Sequence, residues 1–119
     1  MNERMSQSKE KSFRFAIRCV RLYLYLRDNK REYDISRQLL RSGTSIGANI
    51  REGLFAQSKP DFLAKFSSAK KEAAETEYWL ELLKETDILT PEQADSMLND
   101  CRELIRILVS SCKTMGNKR

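Results

Sequence analysis

The chain has 119 residues and no histidine. That absence removes imidazole general bases and imidazole metal ligands together. No Ser–His or Cys–His nucleophile can be built, nor the Glu-x-x-His pairs of a carboxylate di-iron bundle. Ser–Lys chemistry would need a pair that nothing in the sequence singles out, so no catalytic residue, no metal and no cofactor is expected. Proline occurs twice and glycine four times. With so few breaks, long helices are favoured over a many-turned β protein. The three cysteines, Cys19, Cys101 and Cys112, form no CxxC pair. Each falls at an apolar position of a helical pattern, which fits a reduced, cytoplasmic chain. The start, MNERMSQSKEK, has no apolar signal core. The longest apolar run, LYLYL, is far too short to span a bilayer, so no membrane is expected among the partners.

What is present suits one domain. Hydrophobic residues make up 40% and charged residues 33%, enough for a core under a heavily charged exterior. The net charge of +5 is unevenly spread. Residues 1–60 carry 13 Lys and Arg against 6 Asp and Glu, and residues 61–119 carry 9 against 11. A basic first half beside a mildly acidic second half suggests a polyanion-facing surface, or association of unlike faces.

Apolar and small residues step by three and four along four segments. The first runs Phe13, Ile17, Val20, Leu24, and the second Ile35, Leu39, Ser42, Ile46, Asn49, Gly53. The third runs Phe62, Phe66, Ala69, Ala73, Thr76, Leu80, Leu83, and the fourth Ala94, Leu98, Cys101, Ile105, Leu108, Cys112. Each is the seam of a helix facing neighbours. The spacing predicts an all-α, up-down-up-down antiparallel four-helix bundle over residues 10–115, with helices at about 10–29, 33–55, 59–86 and 91–114. Residues 1–9 and 116–119 are expected to be flexible. Thr90, Pro91 and Gln93 form a capping-box start, with Leu89 and Ala94 as its hydrophobic staple, and Ser58 caps the third helix.

The first helix has a second apolar stripe, Phe15, Cys19, Leu22 and Leu26, roughly 160–200° from the first at about 100° per residue. Two apolar faces on one helix predict a second copy of the chain, unless the core is simply wide.

The stretch RSGTSIGANIREG, residues 41–53, could be taken for a phosphate loop. It lacks the strand before it and the GK[ST] after it that such a loop needs. Read as a helix, Gly43 and Gly47 clear a strip against which another helix can lie. Gln38, Arg41, Ser45 and Glu52 line the opposite flank, with Asn49 at the edge of the core. They form either a hydrogen-bond network that fixes register or a ligand contact. The assembly candidates are Phe15, Leu22, Leu26, Gly43, Gly47, Asn49 and Glu52. Glu72, Glu75, Glu77, Glu81 and Glu85 on the third helix read as a solvated face, with Glu75 near Lys71 and Glu81 near Lys84. Arg14, Arg18 and Arg21, continued by Tyr25, and Arg37, Arg41 and Arg51 are basic rows. Of these, Arg14, Arg18, Arg21, Arg37 and Arg51 are the candidates for phosphate contact.

QLLRSGTSIGANIREG followed by DFLAKFSSAKKEAAETEYWLELL resembles the four-helix bundle protein family, also called the 23S rRNA intervening-sequence protein family. Gln38, Leu39, Arg41, Ser42, Ser45, Ile46, Asn49, Glu52 and Gly53 match its pattern, as do Ala69, Glu72 and Leu80, while Arg51 departs from it. The family is similar in fold to the accessory variability determinant of diversity-generating retroelements. The resemblance implies a ring-like homopentamer associated with structured RNA or DNA. It also implies a role beside a reverse transcriptase-like protein. The rival expectation is an adaptor that binds an acidic protein and no nucleic acid.

Overall fold

The computed structural model describes residues 3–117. Four helices follow one another: α1 Glu3–Asn29, α2 Asp34–Leu54, α3 Lys59–Glu85 and α4 Pro91–Gly116. Among the described residues each packs on the next and α4 returns to α1, while diagonal helices keep their backbones apart, so the section is a square of antiparallel helices. The bundle measures 49 × 20 × 20 Å. This is the up-down arrangement that the apolar rhythm predicts.

The ends of the helices follow from local chemistry. Thr90 Oγ1 accepts from Gln93 N–H while the Gln93 side chain accepts from Thr90 N–H, which closes the expected capping box on α4. Ser58 caps α3 by accepting from Asp61 N–H. The start of α2 is different. Glu32 bends forward, its carboxylate accepting from the N–H groups of Asp34, Ile35 and Ser36 at 3.1, 3.0 and 2.6 Å. It satisfies three of the four donors that a helix start leaves open.

Two expectations about the ends need correction. Residues 3–9 are not a tail: α1 begins at Glu3, Ser8 is buried, and Arg4 donates to Thr114 Oγ1 across to α4. Lys, Glu, Gln, Met and Arg are good helix formers, and α4 gives this polar first turn something to lie on. At the other end Gly116 is still helical and Asn117 caps α4, while residues 1–2 and 118–119 lie outside the described residues.

The core draws on every helix. Phe15, Cys19 and Leu26 of α1 meet Leu39, Ile46 and Ile50 of α2, Phe66, Leu80 and Leu83 of α3, and Leu98, Leu104 and Leu108 of α4. For α2, α3 and α4 the predicted seams are largely the buried ones. For α1 the two stripes change places. Phe15, Cys19 and Leu26 are inside and Leu22 packs on the core, whereas Phe13, Ile17, Val20 and Leu24 are exposed. The residues beside the stripe fit that orientation. Lys11 and Arg18 border the Phe15 row and reach Glu103 and Asp100 of α4, and Cys19 lies against Gly43 of α2.

Close approach explains two glycines. A Cβ on Gly43 would lie 2.4 Å from Cys19 Sγ, and one on Gly53 would lie 2.6 Å from Cδ1 of the buried Phe66. A Phe ring locked in a core cannot step aside cheaply. Gly53→Ala is therefore expected to destabilise the bundle by about 1–3 kcal/mol despite the better helix propensity of alanine, read as a lower urea midpoint with an unchanged slope.

Candidate functional site

The Gly43–Gly47 strip does admit a close helix, and that helix is α1 of the same chain. Gly43 faces Cys19, and a Cβ on Gly47 would meet Ser12 at 3.4 Å. Gly43 is thereby committed inside the subunit. Phe15 is 2% and Leu26 0% exposed, so neither can touch a second copy, and Leu22 is half-buried against the core. These four assembly candidates are corrected by the inversion of α1. Asn49 is half-buried and donates to Ser45 O, while Glu52 is exposed and lies 3.9 Å from Lys65 Nζ.

The α1 row that was expected inside is now the prominent outer feature. Phe13 is 55%, Ile17 37%, Val20 41% and Leu24 40% exposed. At about 100° per residue the row lies on the outer surface of α1, with Arg14 and Arg21 on its α4 side. On its α2 side runs a groove of ≈ 450 Å³, floored by Ala16, Gly47 and Ala48 and edged by Arg51 and Glu52. Periodicity alone could not rank the two stripes of α1. The usable signal was the bordering Lys11 and Arg18, together with a small residue, Cys19, opposite a glycine.

The basic candidates divide. Arg18 is tied down, donating to Asp100 Oδ2 at 2.6 Å and to Ser96 Oγ at 2.7 Å, so it holds α1 to α4 and is not free for phosphate. Arg14 pairs with Glu10 at 2.6 Å on an exposed surface, a pairing worth little in water. The Arg51 guanidinium lies 5.6 Å from the centre of the Phe13 ring. Arg21 and Arg37 are exposed and have no ion-pair partner among the described residues. Tyr25 accepts from Gln93 at the α4 seam.

The α3 carboxylates are cross-helix ties more than a solvated face. Arg41 of α2 pairs with Glu72 at 3.3 Å and with Glu75, whose carboxylate also accepts from Trp79 Nε1. Arg102 of α4 spans Glu77 and Glu81 at 2.9 and 3.2 Å. Beneath them Thr76 Oγ1 donates to Ser42 Oγ at 2.8 Å in the buried interior. The Gln38–Arg41–Ser45–Asn49 row therefore works mainly as structure: Ser45 Oγ donates to Arg41 O, and Arg41 Nε to Gln38 Oε1. No group of three or more potential metal ligands comes together among the described residues, and no described helix is long and apolar enough to cross a membrane.

A family model described as 23S rRNA-intervening sequence protein matches residues 4–110. The fold is similar to the crystal structure of a protein with unknown function from the S23 ribosomal protein family of Bacteroides thetaiotaomicron. The two chains are 51% identical, the TM-score is 0.91, and the match covers 92% of this chain and 98% of that one. Comparison with curated proteins gives no match.

Cys19 and Cys101 are buried and unreactive. Burial pushes the Cys19 thiol far up, with Cys101 adding to the shift and Arg18 opposing it. Burial likewise pushes the Cys101 thiol up to about 12. Both stay protonated in the folded chain while the unfolded chain ionises its thiols from pH 9 upward, so this contribution to stability is present below pH 9 and is lost as pH rises towards 12. At pH 8 a thiol reagent is expected to modify the half-buried Cys112 rapidly. Cys19 and Cys101 should react only at the rate of global opening, which mass spectrometry of the labelled chain reads directly.

Proposed function

We propose that this chain, which belongs to the 23S rRNA-intervening sequence protein family, is a non-catalytic building block. Copies associate through the outer face of α1, as a ring-like homopentamer in the cytoplasm, and the assembly binds structured RNA through basic helix faces. The observation that carries the reading is the unpartnered row Phe13, Ile17, Val20 and Leu24, four large apolar side chains that the bundle leaves in water. A lone subunit rarely keeps so continuous an apolar strip uncovered. A head-to-tail contact, in which the strip of one copy lies on a different face of the next, generates a ring where its rotation closes; the ring form rests on the resemblance. The number five rests on the resemblance alone.

Exposed basic side chains without carboxylate partners among the described residues, Lys9, Lys71, Arg106 and Lys113 among them, support the polyanion side of the reading, and the family's description links it to the intervening sequence of 23S rRNA. The association with nucleic acid is expected to be electrostatic in the main, and so to fall steeply with salt.

Light scattering at micromolar concentration tests the assembly. Wild type should give a mass of several subunits. Ile17→Ser/Val20→Ser/Leu24→Ser should give a folded single chain of 13.9 kDa with unchanged helical circular dichroism. A wild-type chain that stays single would overturn the assembly. RNA retention that is absent, or flat across a salt series, would overturn the nucleic-acid reading and leave a protein–protein adaptor.

A further inference from the structure

The geometry points to one half of the bundle as the nucleic-acid surface: the half holding the starts of α1 and α3 and the ends of α2 and α4, with Phe55 at its tip as a stacking platform for an unpaired base. This inference rests on the nucleic-acid reading above and goes beyond it by locating the contact and naming the kind of RNA.

Ion pairs neutralise charge unequally along the long axis. In this half Lys9, Lys70, Lys71, Arg106 and Lys113 have no ion-pair partner among the described residues, and only Glu3 and Asp61 are unpaired carboxylates. In the opposite half Arg21, Lys30, Arg31 and Arg37 are more than offset by Glu32, Asp34, Glu85, Asp87 and Glu92, which likewise have no ion-pair partner among the described residues. The folded chain therefore has a positive half and a mildly acidic one. The linear sequence hides this, because each half of the bundle takes residues from all four helices. In a ring of parallel subunits the positive halves would join into a single rim.

Phe55 is 82% exposed, and it directly follows α2 at the tip of the positive half. Arg51 stands one helical turn before it. A largely exposed ring at the end of a half rich in unpaired cations suits stacking on a base whose neighbouring phosphates reach those cations. An anionic membrane would attract the same charges, but a seat in lipid requires a broad apolar face. The tip carries one ring followed by Ala56, Gln57 and Ser58. A single-stranded or looped RNA fits better than a continuous duplex, whose bases are already stacked on each other.

Binding of a fluorescent RNA stem-loop across a salt series decides the matter, with a fully paired RNA duplex and phosphatidylserine vesicles as parallel probes. Lys70→Gln/Lys71→Gln/Arg106→Gln/Lys113→Gln should weaken stem-loop binding more than about tenfold and lower the salt slope by about three, while Arg21→Gln/Arg31→Gln/Arg37→Gln changes the slope by less than about one. Phe55→Ala should weaken stem-loop binding about fivefold or more with an unchanged slope, spare the duplex, and be rescued by Phe55→Tyr. Equal losses from both basic variants would overturn the location while leaving nucleic-acid binding intact. A Phe55→Ala effect on assembly mass, or on vesicle binding in place of RNA binding, would overturn the stacking role. A wild-type chain that retains no RNA at any salt would overturn this inference together with the reading it rests on.

Discussion

The structure depends on how closely α1 can lie against α2. Gly43 has no side chain because Cys19 Sγ occupies that space, and Gly47 leaves room for the backbone at Ser12. This contact turns the Phe15–Cys19–Leu26 row inward. The Phe13–Ile17–Val20–Leu24 row must then face water, since the two lie on opposite sides of one cylinder. A small residue meeting a missing side chain thus decides what the molecule shows to the outside. The proposed assembly follows from a packing choice made in the interior.

Charge completes what packing begins. Arg41 ties α2 to α3 through Glu72 and Glu75, Arg102 ties α3 to α4 through Glu77 and Glu81, and Lys11 and Arg18 tie α1 to α4 through Glu103 and Asp100. Each pair is partly exposed and worth little alone. Together they give every seam except α1–α2 a fixed register. The α1–α2 seam is the one with the glycines, where steric fit does the same task. These ties engage four carboxylates of α3 with only two guanidinium charges, so the acidity of that helix is met in part within its own chain.

Much of this architecture could be read from the residues. Thr90 with Gln93 and Ser58 marked two helix starts correctly, and the seams of α2, α3 and α4 are buried as their rhythm requires. The buried Ser42–Thr76 pair was legible too, because both fall on seam positions. What periodicity could not supply was a choice between two equally regular stripes on α1. It also placed Glu75 and Glu81 beside their helical neighbours Lys71 and Lys84, because spacing along one helix carries no information about arginines arriving from another. The extent of α1 was misjudged for a related reason. Residues 3–9 look like a polar tail in isolation, and become a helical turn only because α4 lies alongside. The candidate surface was thus legible in composition, as arginines and a surplus of apolar positions, and illegible in location.

The carboxylate of Glu32 has one more implication. By filling the amide socket at the head of α2 it acts as a built-in anion, leaving that backbone niche with no vacancy for an outside phosphate. An acidic guest at that end of the bundle must then be met by flexible side chains rather than by the main-chain donors of α2. Grip of that kind tolerates varied backbone paths and does not dictate a single pose.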